Sequence, residues 1–340
     1  MLIMTKSVLA IMCGFVLSIL TAIILIPLLK KLKASQRLSV YLREKHNSKV
    51  GTPTMGGLIF IIPVLLILII LFLTNRIRIS YNLLIILFTF FGYAVIGFID
   101  DYLIIKRNNN NGLSEGSKLI LQIIISIIFF FLFMKSGNEP LLWIHTFNIK
   151  INIGWFYGFL ILLVLVSSSN AVNITDGLDG LASGLSIIAY LAFGLITWNT
   201  GWLEGYEDIA LFIFLLIGAL IGFLVFNINP AKVFMGDTGS LALGGALGSI
   251  AILTRHELLL VLIGIVFVVE TLSCVIQRIY YKITKKRIFP MTPIHHTFEK
   301  KGWKEIDIVR LFWLVGLIAA MASIAFGVLL WKIKKLNYYY

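Results

Sequence analysis

Asp100 and Asp101 stand side by side directly after the apolar stretch Gly97-Phe98-Ile99. Two adjacent carboxylates at a low-dielectric boundary repel, and one is driven toward protonation unless a cation joins them. A second acidic group, Asn173-Ile174-Thr175-Asp176-Gly177-Leu178-Asp179-Gly180, follows another apolar run, preceded by Ser167-Ser168-Ser169-Asn170. Asp176 and Asp179 are three apart and share a face if the segment is helical, and Gly177 and Gly180 let backbone approach a ligand closely. A third acid, Asp237, sits in Phe234-Met235-Gly236-Asp237-Thr238-Gly239-Ser240, downstream of Asn227 and Lys232. His295-His296 follows a basic stretch, and Lys45 and Lys49 precede Gly51-Thr52-Pro53-Thr54-Met55-Gly56-Gly57. Hard oxygen ligands, ammonium groups and a His pair together suit a magnesium site that handles phosphate.

Taken singly, each group has a plainer explanation. Asp100-Asp101 reads equally as a solvated acidic helix end, Asp176/Asp179 as capping acids, and Asp237 as an acid favoured by a helix dipole. Most of the basic run around Lys45 reads as a topology signal. The His pair lacks the Cys partners or His-x-x-x-His spacing of a zinc site. No Walker loop is present, so ATP-driven transport lacks its phosphate cradle. Glu270 lies inside an apolar run as an acid whose partner the sequence does not name.

The elements that must position these groups are membrane helices. The chain has 340 residues, 59% of them hydrophobic, with a mean hydropathy of +0.97. Apolar runs of about twenty residues, each able to cross about 30 Å of hydrocarbon, recur along its length. Ten spans are expected: 8–29, 57–74, 81–99, 118–135, 153–170, 179–198, 209–226, 238–253, 258–281 and 307–331. This is an all-α integral membrane protein, a single polytopic domain over residues 1–340, its first run a retained helix. Cys13 and Cys274 both fall in apolar runs and read as small buried hydrophobes. The net charge of +13 comes from residues flanking spans, where they set topology and meet anionic lipid in the bilayer, so nucleic acid is not implied.

Alternate loops carry nineteen Lys and Arg on one face and nine on the other. The richer face is expected to be cytoplasmic, which makes both termini extracytoplasmic. Asp100-Asp101, Asn170 to Asp179, Asn227 to Asp237 and His295-His296 all fall on that cytoplasmic face, although only Lys and Arg set the topology. The extracytoplasmic loops are short and poor in shared chemistry; Asn138-Glu139-Pro140 and Gly201-Trp202 to Asp208 read as solvated turns.

These motifs resemble the polyprenyl-phosphate N-acetylhexosamine-1-phosphate transferases, and within them the phospho-N-acetylmuramoyl-pentapeptide transferases. The resemblance rests on Gly51 to Gly57, Gly97 to Tyr102, Ser169 to Asn173 with Asp176 to Gly180, Pro230 to Ser240, and Lys286 to Phe289 with Pro293 to His296. The matching motifs run in order within about residues 49–303. The resemblance implies transfer of phospho-MurNAc-pentapeptide from UDP-MurNAc-pentapeptide to undecaprenyl phosphate, with magnesium, releasing UMP and forming lipid I. It implies the bacterial cytoplasmic membrane, an active site on its cytoplasmic face, a broken ninth helix beside a lipid-facing groove, and a homodimer. Asp237 would be the metal ligand and Asp100 the base, with Asp101 and His295 completing the catalytic group. Lys49, Thr52, Lys118, Asn170, Asn173, Asp176, Gly177, Leu178, Asp179, Asn227, Phe234, Gln277 and His296 would bind the substrates. Two positions depart from the family pattern: Thr297 replaces a third His, and Ile104 replaces a Lys, whose charge Lys106 or Lys118 would supply. The alternatives are a sister transferase using UDP-GlcNAc and a cation-coupled transporter, which expects acids on facing helices near mid-bilayer.

Overall fold

A computed structural model describes residues 2–32, 34, 49, 51–107, 111–144, 147, 149–199 and 206–325. Lys45, the tip at 108–110, the loop 201–205 and the end of the tenth expected span lie outside them.

Among the described residues there are twelve helices and one small hairpin. The helices are α1 (Leu2–Lys31), α2 (Leu58–Leu73), α3 (Tyr81–Arg107), α4 (Glu115–Lys135), α5 (Phe156–Thr175) and α6 (Leu181–Asn199). They continue with α7 (Tyr206–Asn227), α8 (Gly236–Leu253), α9 (Glu257–Ile263), α10 (Ile265–Thr284), α11 (Ile294–Lys300) and α12 (Glu305–Ile324). Eight are long and apolar enough to cross a membrane; α2 is a shorter apolar helix, and α9 and α10 meet at Gly264 with a bend of 85°. Each expected span lies on one of these helices, with α9 and α10 dividing the ninth.

α8 is the axis of the bundle, buried along nearly its whole length. Its sequence explains this: Gly244, Gly245 and Gly248 leave no side chains to hold neighbours away, so α3 and α5 pack directly on its backbone. α7 is similarly enclosed, between α1 and α6. α1, α4 and α12 keep apolar faces exposed, as helices in contact with lipid do.

Four expectations need correction. Cys13 is exposed and Cys274 only half-buried, so the two thiols lie on apolar helix surfaces rather than inside the protein. α3 does not stop at Asp100-Asp101 but continues to Arg107, and both acids are buried, at 2% and 0% exposure, so they are no solvated helix end. Asp176 is the C-cap of α5, with φ −77° and ψ 49°, and Gly180 has a positive φ. Asp176 and Asp179 therefore occupy a turn rather than one face of a helix. Finally, the far end of the bundle is not a set of bare turns. Leu141–Ile144 (β1) and Ile149–Asn152 (β2) form an antiparallel hairpin that pairs Trp143 with Lys150. Beside it, buried Arg255 donates to the Tyr157 hydroxyl (3.0 Å), which also meets Glu257. Asp208, assigned above to a solvated turn, is buried and accepts from the Ser80 N–H at 2.7 Å. These groups lie at the opposite end of α8, which is about 27 Å long at 1.5 Å per residue.

Candidate active site

The N-terminus of α8 gathers the acids. Asp101 reaches across from α3 and accepts from the N–H groups of Asp237 (3.3 Å) and Thr238 (3.0 Å) and from the Thr238 hydroxyl (2.6 Å). A helix N-terminus leaves its first amides without partners and carries a partial positive charge, so a carboxylate there is held firmly. Asp101 thus pins α3 to α8 and fixes where Asp237 and Asp100 stand relative to one another.

Asp100, one residue earlier, faces a different way. One oxygen accepts from the Leu113 N–H (2.6 Å), and the other lies 3.0 Å from the Lys118 ammonium. Lys118 also reaches Asp237, at 2.6 Å, so one ammonium spans two carboxylates. Asn173, from the last turn of α5, donates to the other oxygen of Asp237 (2.9 Å) and contacts Ser240 at the same distance. The Asp237 and Lys118 side chains remain 16% and 24% exposed, so a ligand can reach them. Of the two lysines expected to make up for Ile104, Lys118 lies between the acids, whereas Lys106 lies over the Tyr102 ring; Ile104 packs into the protein.

Asp176 stands in the same field. Burial first, then repulsion from Asp237, Asp101 and Asp179, push its carboxyl up to about 8. Repulsion of this kind on Asp176 is relieved by an incoming cation. Among the described residues no group of three or more His, Cys, Asp or Glu side chains forms a ready metal cage. Hard oxygens are nevertheless present: Asp237, with Asp100 and the Asn173 amide beside it, match the one or two carboxylates that hold magnesium when substrate phosphates supply other ligands.

A second group lies alongside. Asp179 receives Lys49 (2.7 Å) on one oxygen and the Asn229 amide and Ala231 N–H (both 3.0 Å) on the other. His295 is fully buried with its Nδ1 3.1 Å from a Glu270 carboxylate oxygen, a contact without hydrogen-bond geometry. Glu270, left without a neighbour by the sequence, thus lies against His295. Gly177 matters here: a Cβ would lie 2.4 Å from His295 Nε2, so the glycine lets the Asp176–Asp179 turn come close against this His. His296 contacts Glu299 (2.5 Å), and Thr297 bonds the Met291 carbonyl, a structural role that needs no imidazole.

The other expected substrate residues divide. Phe234 and Thr52 border the same loops, through Phe234 N–H to Pro53 O (2.8 Å) and Thr52 N–H to Lys49 O (3.2 Å). Asn227 is buried and committed to Ser183 (2.8 Å) and Val233 O (3.0 Å). Asn170 donates to Gln122 and Val166 O, both at 2.8 Å, and Leu178 is buried in the core. Gln277 sits apart, clasping the backbone of Ile288 and Phe289 in the α10–α11 loop, and lines an open cavity of about 620 Å³ with Arg278, Arg287 and Lys300. Glu305 and Asn229 were not anticipated from sequence, although both contact Asp179.

Lys118 gives the first testable consequence. Lys118→Met leaves Asp100 and Asp237 facing each other without their shared cation. Turnover by purified protein is expected to fall about 100-fold, with a lowered Tm because two carboxylates lose their shared cation; unchanged turnover would separate this ammonium from the chemistry.

A bundle of helices apolar enough to cross a membrane thus brings carboxylates, Lys and His to one end. A family profile described as glycosyl transferase family 4 matches residues 83–255, and phospho-N-acetylmuramoyl-pentapeptide-transferase signature 1 matches residues 49–61. Curated relatives bearing that transferase's name agree over nearly the whole length. One from Oceanobacillus iheyensis is 43% identical over 94% of this chain and 98% of its own. Others are from Geobacillus sp. WCH70, 45% identical over 93% and 96%, and Bacillus subtilis, 46% identical over 92% and 95%. The chain belongs to the phospho-N-acetylmuramoyl-pentapeptide-transferase family, whose members are membrane transferases of peptidoglycan synthesis.

Proposed function

We propose that this protein transfers phospho-MurNAc-pentapeptide from UDP-MurNAc-pentapeptide to undecaprenyl phosphate, releasing UMP and forming lipid I. The observation that carries this reading is the Lys118 bridge between Asp100 and Asp237; an apolar groove reaches Val172, next to the Asn173 that bonds Asp237. That groove, about 390 Å³, runs between α5, α8, α9 and α10 and is lined almost wholly by apolar side chains such as Leu163, Val164, Leu247 and Phe267. Its α5 wall ends at Ala171 and Val172, directly before Asn173, and its α10 wall includes Thr271, beside Glu270. A polyprenyl chain in the groove would place its phosphate at the acids.

The reaction joins two anions. An oxygen of the lipid phosphate attacks the β-phosphorus of the donor, a new phosphoanhydride forms, and the bond to the α-phosphate breaks to release UMP. Asp100 would take the proton of the lipid phosphate. Lys118 would follow the negative charge from carboxylates to phosphates, and Lys49 and His296 would contact the diphosphate. Asp101 would act by holding α8 in place. Asp237 would hold magnesium, with Asn173 and Asp100 nearby. Bound there, magnesium would neutralise the diphosphate and the charge on the departing UMP.

In this reading α9 and α10 are one broken span. With α2 they bring the count to ten, both termini are extracytoplasmic, and the acids face the cytoplasm. The protein is a single domain of the bacterial cytoplasmic membrane and works as a homodimer.

The test is donor choice. Purified full-length protein with undecaprenyl phosphate and magnesium is expected to release UMP from UDP-MurNAc-pentapeptide and not from UDP-GlcNAc. Release from UDP-GlcNAc alone would assign the sister reaction, and solute uptake into liposomes with no UMP release would mark a transporter.

A further inference from the structure

We infer that Glu305 is a positioning residue that sets the donor pocket by tying three separate chain segments to the start of α12. An acid in the first turn of a helix is ordinarily explained by the helix dipole and faces water. Glu305 does not face water: its side chain is 11% exposed and turned into the protein. One oxygen takes the Lys49 ammonium (2.6 Å) and the Asp179 N–H (2.7 Å); the other takes the Asn229 amide at 3.3 Å.

Each tied segment leads to the site. Lys49 opens the loop whose Gly56 and Gly57 N–H groups bond the carbonyls of Phe234 (2.8 Å) and Met235 (2.9 Å), directly before Asp237. Asp179 closes the turn that presents Asp176 and sets Gly177 against His295. Asn229 begins the stretch that returns through Ala231 to Phe234. Glu305 also follows α11 by a short loop, so the same carboxylate links the His295-His296 helix to all three segments. Lys49 is held between Glu305 and Asp179, two carboxylates to one ammonium. Removing the Glu305 charge leaves a complete Lys49–Asp179 pair, so the fold keeps its ion pair while Lys49 loses its tether to α12.

This inference rests on the proposed reaction, because the expected effect falls on the donor. Glu305→Gln can still accept from the Asp179 N–H but no longer holds Lys49 by charge. It is expected to raise KM for UDP-MurNAc-pentapeptide about tenfold, leaving KM for undecaprenyl phosphate and Tm unchanged. Glu305→Asp, which restores the charge on a shorter arm, is expected to recover part of that loss. If Glu305 acts through Lys49, the double variant Lys49→Met/Glu305→Gln will have the donor KM of Lys49→Met alone, within about twofold. Equal increases in both KM values, a lowered Tm with transfer lost, no recovery in Glu305→Asp, or additive effects in the double variant each overturn the proposal. Wild-type protein that fails to turn over this donor overturns the functional reading and the positioning role with it; a normal wild type with unaffected variants overturns the positioning role alone.

Discussion

Asp237→Asn is expected to reduce transfer by about 10³-fold or more while the protein stays folded. The asparagine has nearly the shape of the aspartate, and it can still meet Asn173 and sit in the first turn of α8. What it loses is charge. Lys118 would keep only Asp100, 3.0 Å away, and the oxygen assigned to magnesium would become a weak neutral ligand. The change also removes the largest source of repulsion on Asp176, so the folded state loses no net favourable electrostatics from that neighbour. The expected pattern is therefore unusual for a buried polar change: turnover lost, Tm maintained or slightly raised, and normal elution as a folded protein. Near-normal UMP release by the purified variant would remove Asp237 from the metal site and require another ligand.

Gly97→Ala is expected to have the second-largest effect, for a reason lying in packing rather than charge. A Cβ at Gly97 would stand 2.0 Å from the Asp237 carbonyl oxygen and 2.5 Å from the Thr238 nitrogen. Those atoms are helix backbone and cannot rotate aside. α3 must move outward by more than an ångström, and Asp100 and Asp101, three and four residues later, lie on the same stretch of helix. The Asp101 bonds to Thr238 lengthen and Asp100 withdraws from Lys118. Overpacking of this kind costs about 1–3 kcal/mol, and a 1 Å misplacement of reacting groups costs about 100-fold in rate. Turnover is expected to fall by at least that factor, with a measurable loss of Tm. Gly116→Ala is the control, since its Cβ would meet only the Ser114 Oγ at 4.0 Å; it should stay within about twofold of wild type. Full activity in Gly97→Ala would mean that the α3–α8 approach does not set the site.

How much of this could be read from the chain follows from where each signal lies. Span positions were legible because hydrocarbon demands long apolar runs, and no neighbour can override that demand. Asp100, Asn173 and Asp237 were legible because polar groups at the margin of such runs are costly and need a reason. The end of α3 was not, since Asp100-Asp101 looks like a boundary only until their burial partners are known. The Asp176–Asp179 segment misled through spacing: a three-residue interval suggests one helical face, but Gly177 and Gly180 end the helix. Glu270 could not be paired with His295 from sequence, because 25 residues and a change of helix separate them. Glu305 stood unnoticed at a helix start, where an acid needs no explanation. The hairpin at Leu141–Asn152 consists of two four-residue strands, too short for their alternation to stand out.

The most direct measurement follows the phosphorus itself. Purified full-length protein would be given UDP-MurNAc-pentapeptide labelled with ³²P at the β-phosphate, together with undecaprenyl phosphate, with and without magnesium. The account predicts that label passes into the lipid phase with an equal amount of UMP released, that chelation of magnesium stops both, and that Asp237→Asn shows neither. Label remaining in the water phase while UMP appears, or lipid labelling that persists in Asp237→Asn, would contradict it.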